Sequence, residues 1–188
     1  MRVIAGSAKG CKLKAPEGLQ TRPTADRIKE TMYNILSPEL IDADVMDIFS
    51  GSGALAIEAL SRGARYAAII DNDKQSISVI KENLKKTRLS SESRLMEEDA
   101  FHAMEILSRE GYSFDIIMMD PPYGQGLVQQ TIKKILEYGL IKPDGIIMAE
   151  QGSDEKIFLT EGLHVFKEKI YKTMRLIFYR AEGVKHRS

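Results

Sequence analysis

Residues 114–123 read Phe-Asp-Ile-Ile-Met-Met-Asp-Pro-Pro-Tyr, and the rest of the chain can be interpreted around them. The apolar run 114–119 is short, bounded by a glycine and by two prolines, and therefore predicts a buried strand. Pro121 and Pro122 end that strand, because neither ring nitrogen can donate to a sheet ladder. They also stiffen the turn, so the carbonyls of Asp120 and Pro121 point into a fixed space.

The four residues that follow this strand have a chemistry of their own. The Asp120 carboxylate and the rigid carbonyls accept hydrogen bonds, and the Tyr123 ring offers a flat apolar face. This combination suits a planar base with an exocyclic amino group. The alternative is a plain strand-ending turn with an Asp that caps a helix, and only the upstream sequence can decide between them.

The chain from Asp44 onward alternates strand and helix patterns, which predicts a parallel sheet covered on both faces. The five predicted strands of this part are 44–49, 67–71, 94–98, 114–119 and 145–150. Three predicted helices have bounds: 54–62, 99–109 and a short one near 153–160. Two more are marked by their apolar residues: one contains Ile77, Ile80 and Leu84, and the other contains Val128, Ile132, Ile135 and Leu136. Residues 164–170 and 174–180 complete seven strands as an antiparallel hairpin. We expect an α/β fold with a seven-stranded, mostly parallel sheet.

The first 40 residues do not follow this alternation. Residues 2–15 predict a β-hairpin with a glycine-bracketed loop, and Thr24 predicts the N-cap of a helix that ends at 37–38. We therefore divide the chain into an N-terminal extension, 1–40, and a main domain, 41–188.

A glycine turn follows the first predicted strand. Gly51-x-Gly53-x-x-Ala56 matches the dinucleotide fingerprint, and Asp71 lies 20 residues after Gly51, where a carboxylate can accept from ribose hydroxyls. This pattern alone fits a nicotinamide enzyme equally well. Asp47 argues against one, because a carboxylate inside the first strand suits a ligand with an ammonium group, such as S-adenosylmethionine. Asp99 can accept from an adenine amino group or can cap the third helix.

The amino-acid composition limits the classes of function that this protein can have. The 188 residues carry no net charge and a single cysteine, Cys11, which excludes an intrachain disulfide and fits a reducing compartment. No stretch has the length of a membrane span and no signal-peptide pattern opens the chain, so we expect a cytoplasmic protein. We expect no metal, because His, Cys and carboxylates nowhere show ligand spacing. The sequence has no exposed heptad pattern that would indicate a dimer, so we expect a monomer.

Charge is unevenly distributed. Residues 1–30 carry seven Lys or Arg against three Asp or Glu, whereas residues 41–150 carry 12 against 18. A basic N-terminal segment next to an acidic main part of the chain predicts that the N-terminal segment contacts a polyanion. The candidate RNA-contacting residues are Arg2, Lys9, Lys12, Lys14, Arg22 and Arg27. For the two helix-region arginines, solvated surface charge is an equal alternative.

Three elements together carry a family resemblance: 47–53 (DIFSGSG), 120–123 (DPPY) and 22–27 (RPTADR) behind a short basic hairpin. The chain resembles the RsmD-type methyltransferases over nearly its whole length. The resemblance implies a Rossmann-like class I methyltransferase fold and methyl transfer from S-adenosylmethionine to N2 of one guanine in bacterial small-subunit (16S) ribosomal RNA, free or in an assembling subunit. The expected catalytic residues are Asp120, Pro121, Pro122 and Tyr123. The expected cofactor-binding residues are Asp47, Ser50, Gly51, Ser52, Gly53, Asp71, Asn72, Asp99 and Ala100.

Other functions remain open at this point. A DNA adenine-N6 methyltransferase uses a similar four-residue motif, but it usually carries a sizeable target-recognition region, and this chain has only the short hairpin. A non-catalytic RNA-binding assembly factor would predict a damaged motif, and both motifs are intact. A nicotinamide oxidoreductase is disfavoured by Asp47 and by the chain length.

Overall fold

The computed structural model describes residues 1–17 and 23–183. The helices and strands are α1 (Pro23–Leu36), a 3-10 turn (Ser37–Glu39), β1 (Asp44–Ile48), α2 (Ala54–Ser61), β2 (Tyr66–Ile70), α3 (Lys74–Thr87), β3 (Ser93–Met96), α4 (Ala100–Arg109), β4 (Phe114–Met119), α5 (Leu127–Glu137), β5 (Ile141–Gly152), β6 (Leu163–Ile170) and β7 (Met174–Ala181). They fall into two compact units, residues 1–100 and 101–188. The division at residue 40 that the sequence suggested stays a prediction.

The first unit contains three parallel strands in the order β3-β2-β1. Asp44 pairs with Tyr66 and Ile48 with Ile70, so β1 and β2 run side by side over their full length. The last four residues of each strand are buried. Burial on both faces explains why these strands are nearly continuous apolar runs instead of alternating patterns.

The second unit contains four strands in the order β4-β5-β7-β6. β4 and β5 are parallel, with Met119 beside Ala149, whereas β7 is antiparallel to both of its neighbours. The predicted α/β fold is confirmed: the described residues form seven strands in a mixed sheet, and the last two of these strands are antiparallel.

Two predicted elements are wrong in detail. β5 begins at Ile141, four residues before the predicted start, because Ile141 already pairs with Phe114 across an irregular register. The short helix predicted near 153–160 is absent, and the segment forms a turn followed by irregular chain. The carbonyls of Glu155 and Lys156 accept instead from the Gln151 side-chain amide, at 3.1 and 3.4 Å.

The predicted N-terminal hairpin is confirmed as a short antiparallel pairing. The structure has one bridge, between Arg2 and Lys12, and hydrogen bonds from Val3 N–H to the Cys11 carbonyl (3.0 Å) and from Leu13 N–H to the Met1 carbonyl (3.0 Å). Leu13 is buried while the side chains of Lys12 and Lys14 are exposed, so both lysines lie on the outer face as expected. We call residues 1–15 the basic hairpin. The Thr24 side chain, which the sequence predicts as the N-cap of the first helix, lies outside the described part of the chain.

A buried carboxylate fastens the basic hairpin to α2. Glu58 is fully buried and accepts from the backbone N–H groups of Ile4 (2.8 Å) and Ala5 (3.0 Å). Lys29 Nζ lies 3.0 Å and Arg62 Nε 2.8 Å from its two oxygens. Burial opposes the ionisation of Glu58, but these donors together lower its pKa below the ordinary value. Lys29 is only 5% exposed although its side chain is charged, because its ammonium group pairs with this carboxylate.

Gly6 makes the closest approach in this packing. It has φ +82, and a Cβ at this position would lie 1.6 Å from the Ser61 carbonyl oxygen. The neighbouring Ser7 N–H donates to that carbonyl at 2.7 Å. Gly10, in the same hairpin, has φ +84 and open space where its Cβ would be.

These two glycines give a matched pair of substitutions. Gly10→Ala introduces only left-handed backbone strain, so it should lower the free energy of unfolding by about 1 kcal/mol. Gly6→Ala adds a backbone clash, so it should lower that free energy by about 3 kcal/mol or release the hairpin from α2. Urea unfolding followed by circular dichroism measures the first effect, and limited proteolysis at residues 1–15 measures release. Equal effects of the two substitutions on both measurements would contradict the packing described.

Candidate active site

The glycine turn between β1 and α2 has the backbone that a cofactor loop needs. Gly51 and Gly53 have φ +61 and +74, and Gly53 N–H donates to the Ser50 carbonyl at 3.0 Å. A Cβ on Gly53 would contact the Ile80 side chain at 3.4 Å, whereas a Cβ on Gly51 would meet nothing within 4 Å. Both positions favour glycine because of their left-handed backbone, and Gly51 also leaves open space beside the turn.

Asp47 lies beneath this turn and is 1% exposed. One of its carboxylate oxygens, Oδ2, accepts from Ser50 Oγ at 2.5 Å and from Ala56 N–H at 3.1 Å. The other oxygen, Oδ1, is buried and has no hydrogen-bond partner among the described residues. Burial raises the pKa of Asp47 to about 7, although both hydrogen bonds act in the opposite direction.

The carboxylate at the end of β2 is tied to the same turn. Asp71 Oδ2 accepts from Gly51 N–H at 2.7 Å, and Oδ1 accepts from Asp73 N–H at 2.9 Å. Each oxygen keeps acceptor capacity, because a carboxylate oxygen has two lone pairs. Asn72 follows and is exposed.

The remaining predicted cofactor residues lie in the first unit. Ser52, in the turn itself, is 7% exposed. Asp99 directly precedes α4 and is exposed, and Ala100 is the first, buried residue of that helix. The first unit thus contains all nine predicted cofactor residues, and the turn joins Asp47, Ser50, Gly51 and Asp71 by hydrogen bonds.

The Asp-Pro-Pro-Tyr stretch directly follows β4 in the second unit, as predicted. The side chains of Asp120 and Tyr123 are exposed, whereas Pro121 is buried. Tyr123 donates its hydroxyl hydrogen to Glu150 Oε1. Burial and this hydrogen bond raise the pKa of Tyr123 above its ordinary value, and the charge of Asp120 raises it further. The phenol therefore stays protonated and keeps donating.

Glu150 is a site residue that the sequence analysis missed. It lies one residue after Ala149, which pairs with Met119, so Asp120 and Glu150 stand next to each other just beyond the last paired residues. Burial raises the pKa of Glu150, partly offset by the bond from Tyr123. A signal was available, because Glu150 ends the next strand of the predicted parallel sheet, where functional side chains collect.

A second missed carboxylate, Glu155, fixes the loop after the motif. Its Oε1 accepts from Gly124 N–H at 3.1 Å, and its Oε2 accepts from Gly152 N–H at 2.7 Å. The loop next to Tyr123 is therefore bound to the end of β5. The wrongly predicted helix over 153–160 concealed this role.

The predicted RNA-contacting residues are exposed where the structure describes them. Lys9 and Arg27 are exposed, and Arg2 lies 3.7 Å from Asp26. Lys14 is ion-paired to Glu82 at 2.6 Å. Arg22 lies outside the described residues. Exposed ion pairs of this kind are weak, so phosphate groups can compete for these side chains.

In residues 1–17 and 23–183, no three or more His, Cys, Asp or Glu side chains group as metal ligands. No helix in that part of the chain has both the length and the apolar character to cross a bilayer.

Comparison with known proteins places the chain in a family. The family described as "Conserved hypothetical protein 95" matches residues 1–180. Ribosomal RNA small subunit methyltransferase D of Haemophilus influenzae is 33% identical over 181 residues, which are 96% of this chain and 92% of that protein. The protein of the same name from Escherichia coli K12 is 36% identical over 150 residues, covering 80% of this chain and 74% of that protein.

A solved structure agrees with these relatives. The yhhF protein of Escherichia coli superposes with a TM-score of 0.86 and 32% identity, covering 97% of this chain and 98% of that one. The resemblance to RsmD-type proteins and the Rossmann-like fold it implies are confirmed. The chain belongs to the family described as conserved hypothetical protein 95 and is a relative of the ribosomal RNA small subunit methyltransferase D proteins.

Proposed function

We propose that this protein transfers a methyl group from S-adenosylmethionine to the N2 amino group of a guanine in small-subunit ribosomal RNA. The observation that carries the proposal is the motif at the end of β4, where Asp120 and Tyr123 are exposed and Glu150 holds the Tyr123 hydroxyl. The names of the full-length relatives support the substrate class.

The glycine turn fits this cofactor. The unpartnered Oδ1 of Asp47 is an acceptor suited to the ammonium group of the methionine part, and the open space at Gly51 leaves room for close approach. Asp71 would accept from the ribose hydroxyls, beside Asn72. Asp99 would accept from the adenine amino group and Ala100 would pack against the ring, while Ser50 and Ser52 shape the turn. When bound, S-adenosylmethionine supplies an electrophilic methyl group on a sulfonium ion.

The motif residues act on the guanine. The N2 lone pair is delocalised into the ring, so this nitrogen is a poor nucleophile and must be held in line with the methyl group. The Asp120 carboxylate and the Pro121 carbonyl would accept the two amino hydrogens and stabilise positive charge as it develops on nitrogen. The new N–C bond would form as the methyl–sulfur bond breaks to leave S-adenosylhomocysteine, and the proton that nitrogen then loses would pass to Asp120 and on to solvent. Pro122 stiffens the turn, and the Tyr123 ring stacks on the base.

The substrate must present an accessible guanine. Pairing and stacking hide N2 in a duplex, so the target base is unpaired or flipped out. The exposed side chains of Arg2, Lys9, Lys12, Lys14 and Arg27, together with Arg22, would contact the phosphate backbone nearby. We propose a monomer that acts in the cytoplasm on ribosomal RNA or on an assembling small subunit.

The decisive experiment offers three acceptors in parallel: unmethylated small ribosomal subunits, naked ribosomal RNA and duplex DNA. With labelled S-adenosylmethionine, label should appear at guanine N2 of the ribosomal RNA. Asp120→Ala should lower kcat/KM by about 100-fold or more, because a preorganised acceptor is lost. Asp120→Asn keeps one acceptor and should lose less. Cofactor affinity should be the same in all three proteins.

Each alternative outcome has a distinct meaning. Label in DNA adenine would move the protein to the adenine-N6 class. Cofactor binding without transfer to any acceptor, or full activity in Asp120→Ala, would contradict the proposed chemistry.

Tyr123 offers a test of stacking against hydrogen bonding. Tyr123→Ala should weaken RNA binding by about tenfold or more, because base–aromatic stacking contributes roughly 1–3 kcal/mol. Tyr123→Phe keeps the ring and loses only the bond to Glu150, so its effect should be about fivefold. RNA affinity is measured by fluorescence anisotropy with a labelled fragment. If both variants lose affinity equally, the hydroxyl and not the ring carries the contact.

Cofactor binding should depend on pH through Asp47. Its pKa of about 7 means that the carboxylate is mostly protonated at pH 6 and mostly ionised at pH 8. Only the ionised form attracts an ammonium group, so affinity for S-adenosylhomocysteine should rise about tenfold between these pH values. Isothermal titration calorimetry measures this dependence.

A ligand without the ammonium group provides the control. Methylthioadenosine lacks the amino-acid part, so its affinity should stay constant over the same range. An equal pH dependence for both ligands, or an unchanged dependence in Asp47→Asn, would show that Asp47 does not bind the ammonium group.

A further inference from the structure

The basic hairpin and the glycine turn share one buried side chain, that of Asn83 in α3. Asn83 is 0% exposed. Its Oδ1 accepts from Lys14 N–H at 2.9 Å, and its Nδ2 donates to the Lys14 carbonyl at 3.0 Å. The same Nδ2 donates to the Ser52 carbonyl, between the two glycines of the turn, at 2.9 Å.

These bonds link segments that are far apart in the chain. Asn83 lies 69 residues from Lys14 and 31 residues from Ser52. The Asn83 amide is hydrogen-bonded both to the backbone of Lys14, in the proposed RNA-contacting segment, and to the backbone of Ser52, in the proposed cofactor loop. Lys14 also carries one of the exposed ammonium groups of that segment.

The geometry of an amide makes this link stiff. Oδ1 and Nδ2 are fixed in one plane, so a movement of Nδ2 toward or away from Ser52 also changes the position of Oδ1 against Lys14. The Asn83 side chain is fully buried, and a buried polar group left unpaired is costly. Displacement of the glycine turn therefore has to be met by displacement of Lys14, or by loss of a bond.

We propose that Asn83 is a positioning residue that couples cofactor occupancy of the glycine turn to the conformation of the basic hairpin, so that RNA and cofactor bind cooperatively. The proposal rests on the proposed function of both segments. By linkage, RNA must then tighten cofactor binding by the same factor as cofactor tightens RNA binding.

Two pairs of proteins isolate the link. Lys14→Ala and Lys14→Pro both remove the Lys14 ammonium group, but only the proline variant also lacks the N–H that Asn83 Oδ1 accepts. Asn83→Leu, compared with the wild type, removes the whole amide at similar volume. The Lys14 pair keeps Asn83 and its bond to Ser52, so it tests the link even if Asn83→Leu does not fold.

Hydrogen exchange followed by mass spectrometry, with and without saturating S-adenosylhomocysteine, provides the first measurement. In the wild type and in Lys14→Ala, the ligand should slow exchange at residues 50–53 and, roughly fivefold, in peptides covering the basic hairpin. Protection of 50–53 should remain in both Lys14→Pro and Asn83→Leu. The effect on the hairpin should be weaker in Lys14→Pro, which keeps the carbonyl that accepts from Asn83 Nδ2, and should disappear in Asn83→Leu. Slower hairpin exchange that came only from stabilisation of the whole fold by the ligand would be equal in Lys14→Ala and Lys14→Pro.

The affinity for S-adenosylhomocysteine with and without a bound RNA fragment is the second measurement. RNA is added to saturation, because both Lys14 variants should bind RNA more weakly than the wild type does. Bound RNA should then tighten ligand binding roughly fivefold in the wild type and in Lys14→Ala, and less in Lys14→Pro. Ligand protection of 50–53 with no response of the wild-type hairpin would overturn the coupling and leave the proposed function intact. The same holds for an equal response in Lys14→Ala and Lys14→Pro. Absence of any protection at 50–53 would remove the cofactor site itself, and the inference would fall with it.

Discussion

The buried carboxylate of Glu58 holds together the N-terminal part of the first unit. An ion of this size loses several kcal/mol when it leaves water, and only close donors offset that cost. Glu58 has four, which come from the basic hairpin, α1 and the end of α2. The Arg62 guanidinium also lies 4.9 Å from the centre of the Tyr33 ring. The hairpin is therefore an integral part of the unit, because the backbone N–H groups of Ile4 and Ala5 donate to a buried charge that would be costly to leave unpaired.

A second buried carboxylate in the same unit shows the opposite arrangement. Asp47 is as deeply buried as Glu58, but its described partners are one hydroxyl and one backbone N–H, and no cation compensates it. The pKa of Glu58 is lowered, whereas that of Asp47 is raised. A buried carboxylate without a cationic partner does not stabilise the fold, and groups with strongly shifted pKa values concentrate at functional sites. The contrast supports the hypothesis that a cationic ligand pairs with the Asp47 carboxylate.

The sequence predicted those parts of the fold and site that depend on local pattern. β4 was predicted to the residue, because an apolar run ends at two prolines, and the glycine turn followed from its spacing after a buried strand. Pairings between distant side chains were not predictable in this way. Nothing in the helical periodicity of α1 shows that Lys29 meets Glu58. The helix predicted over 153–160 is absent because backbone groups of this segment bond outside it: the carbonyls of Glu155 and Lys156 accept from the Gln151 side chain, and the Ser153 N–H donates to the Thr173 carbonyl.

The motif after β4 combines two separate restraints. The prolines restrict the backbone, since each ring fixes its own φ. Glu150 restricts the side chain, since it holds the hydroxyl of an aromatic ring that would otherwise turn freely at an exposed position. The raised pKa of Tyr123 keeps its phenol protonated, so the hydroxyl continues to donate to Glu150 at neutral pH. Because Tyr123 is already bound to Glu150 and Gly124 to Glu155, a base that stacks on the ring meets a surface that needs little ordering. This preorganisation lowers the entropy cost of holding a weakly nucleophilic amino group in line, which is the main difficulty of the proposed reaction.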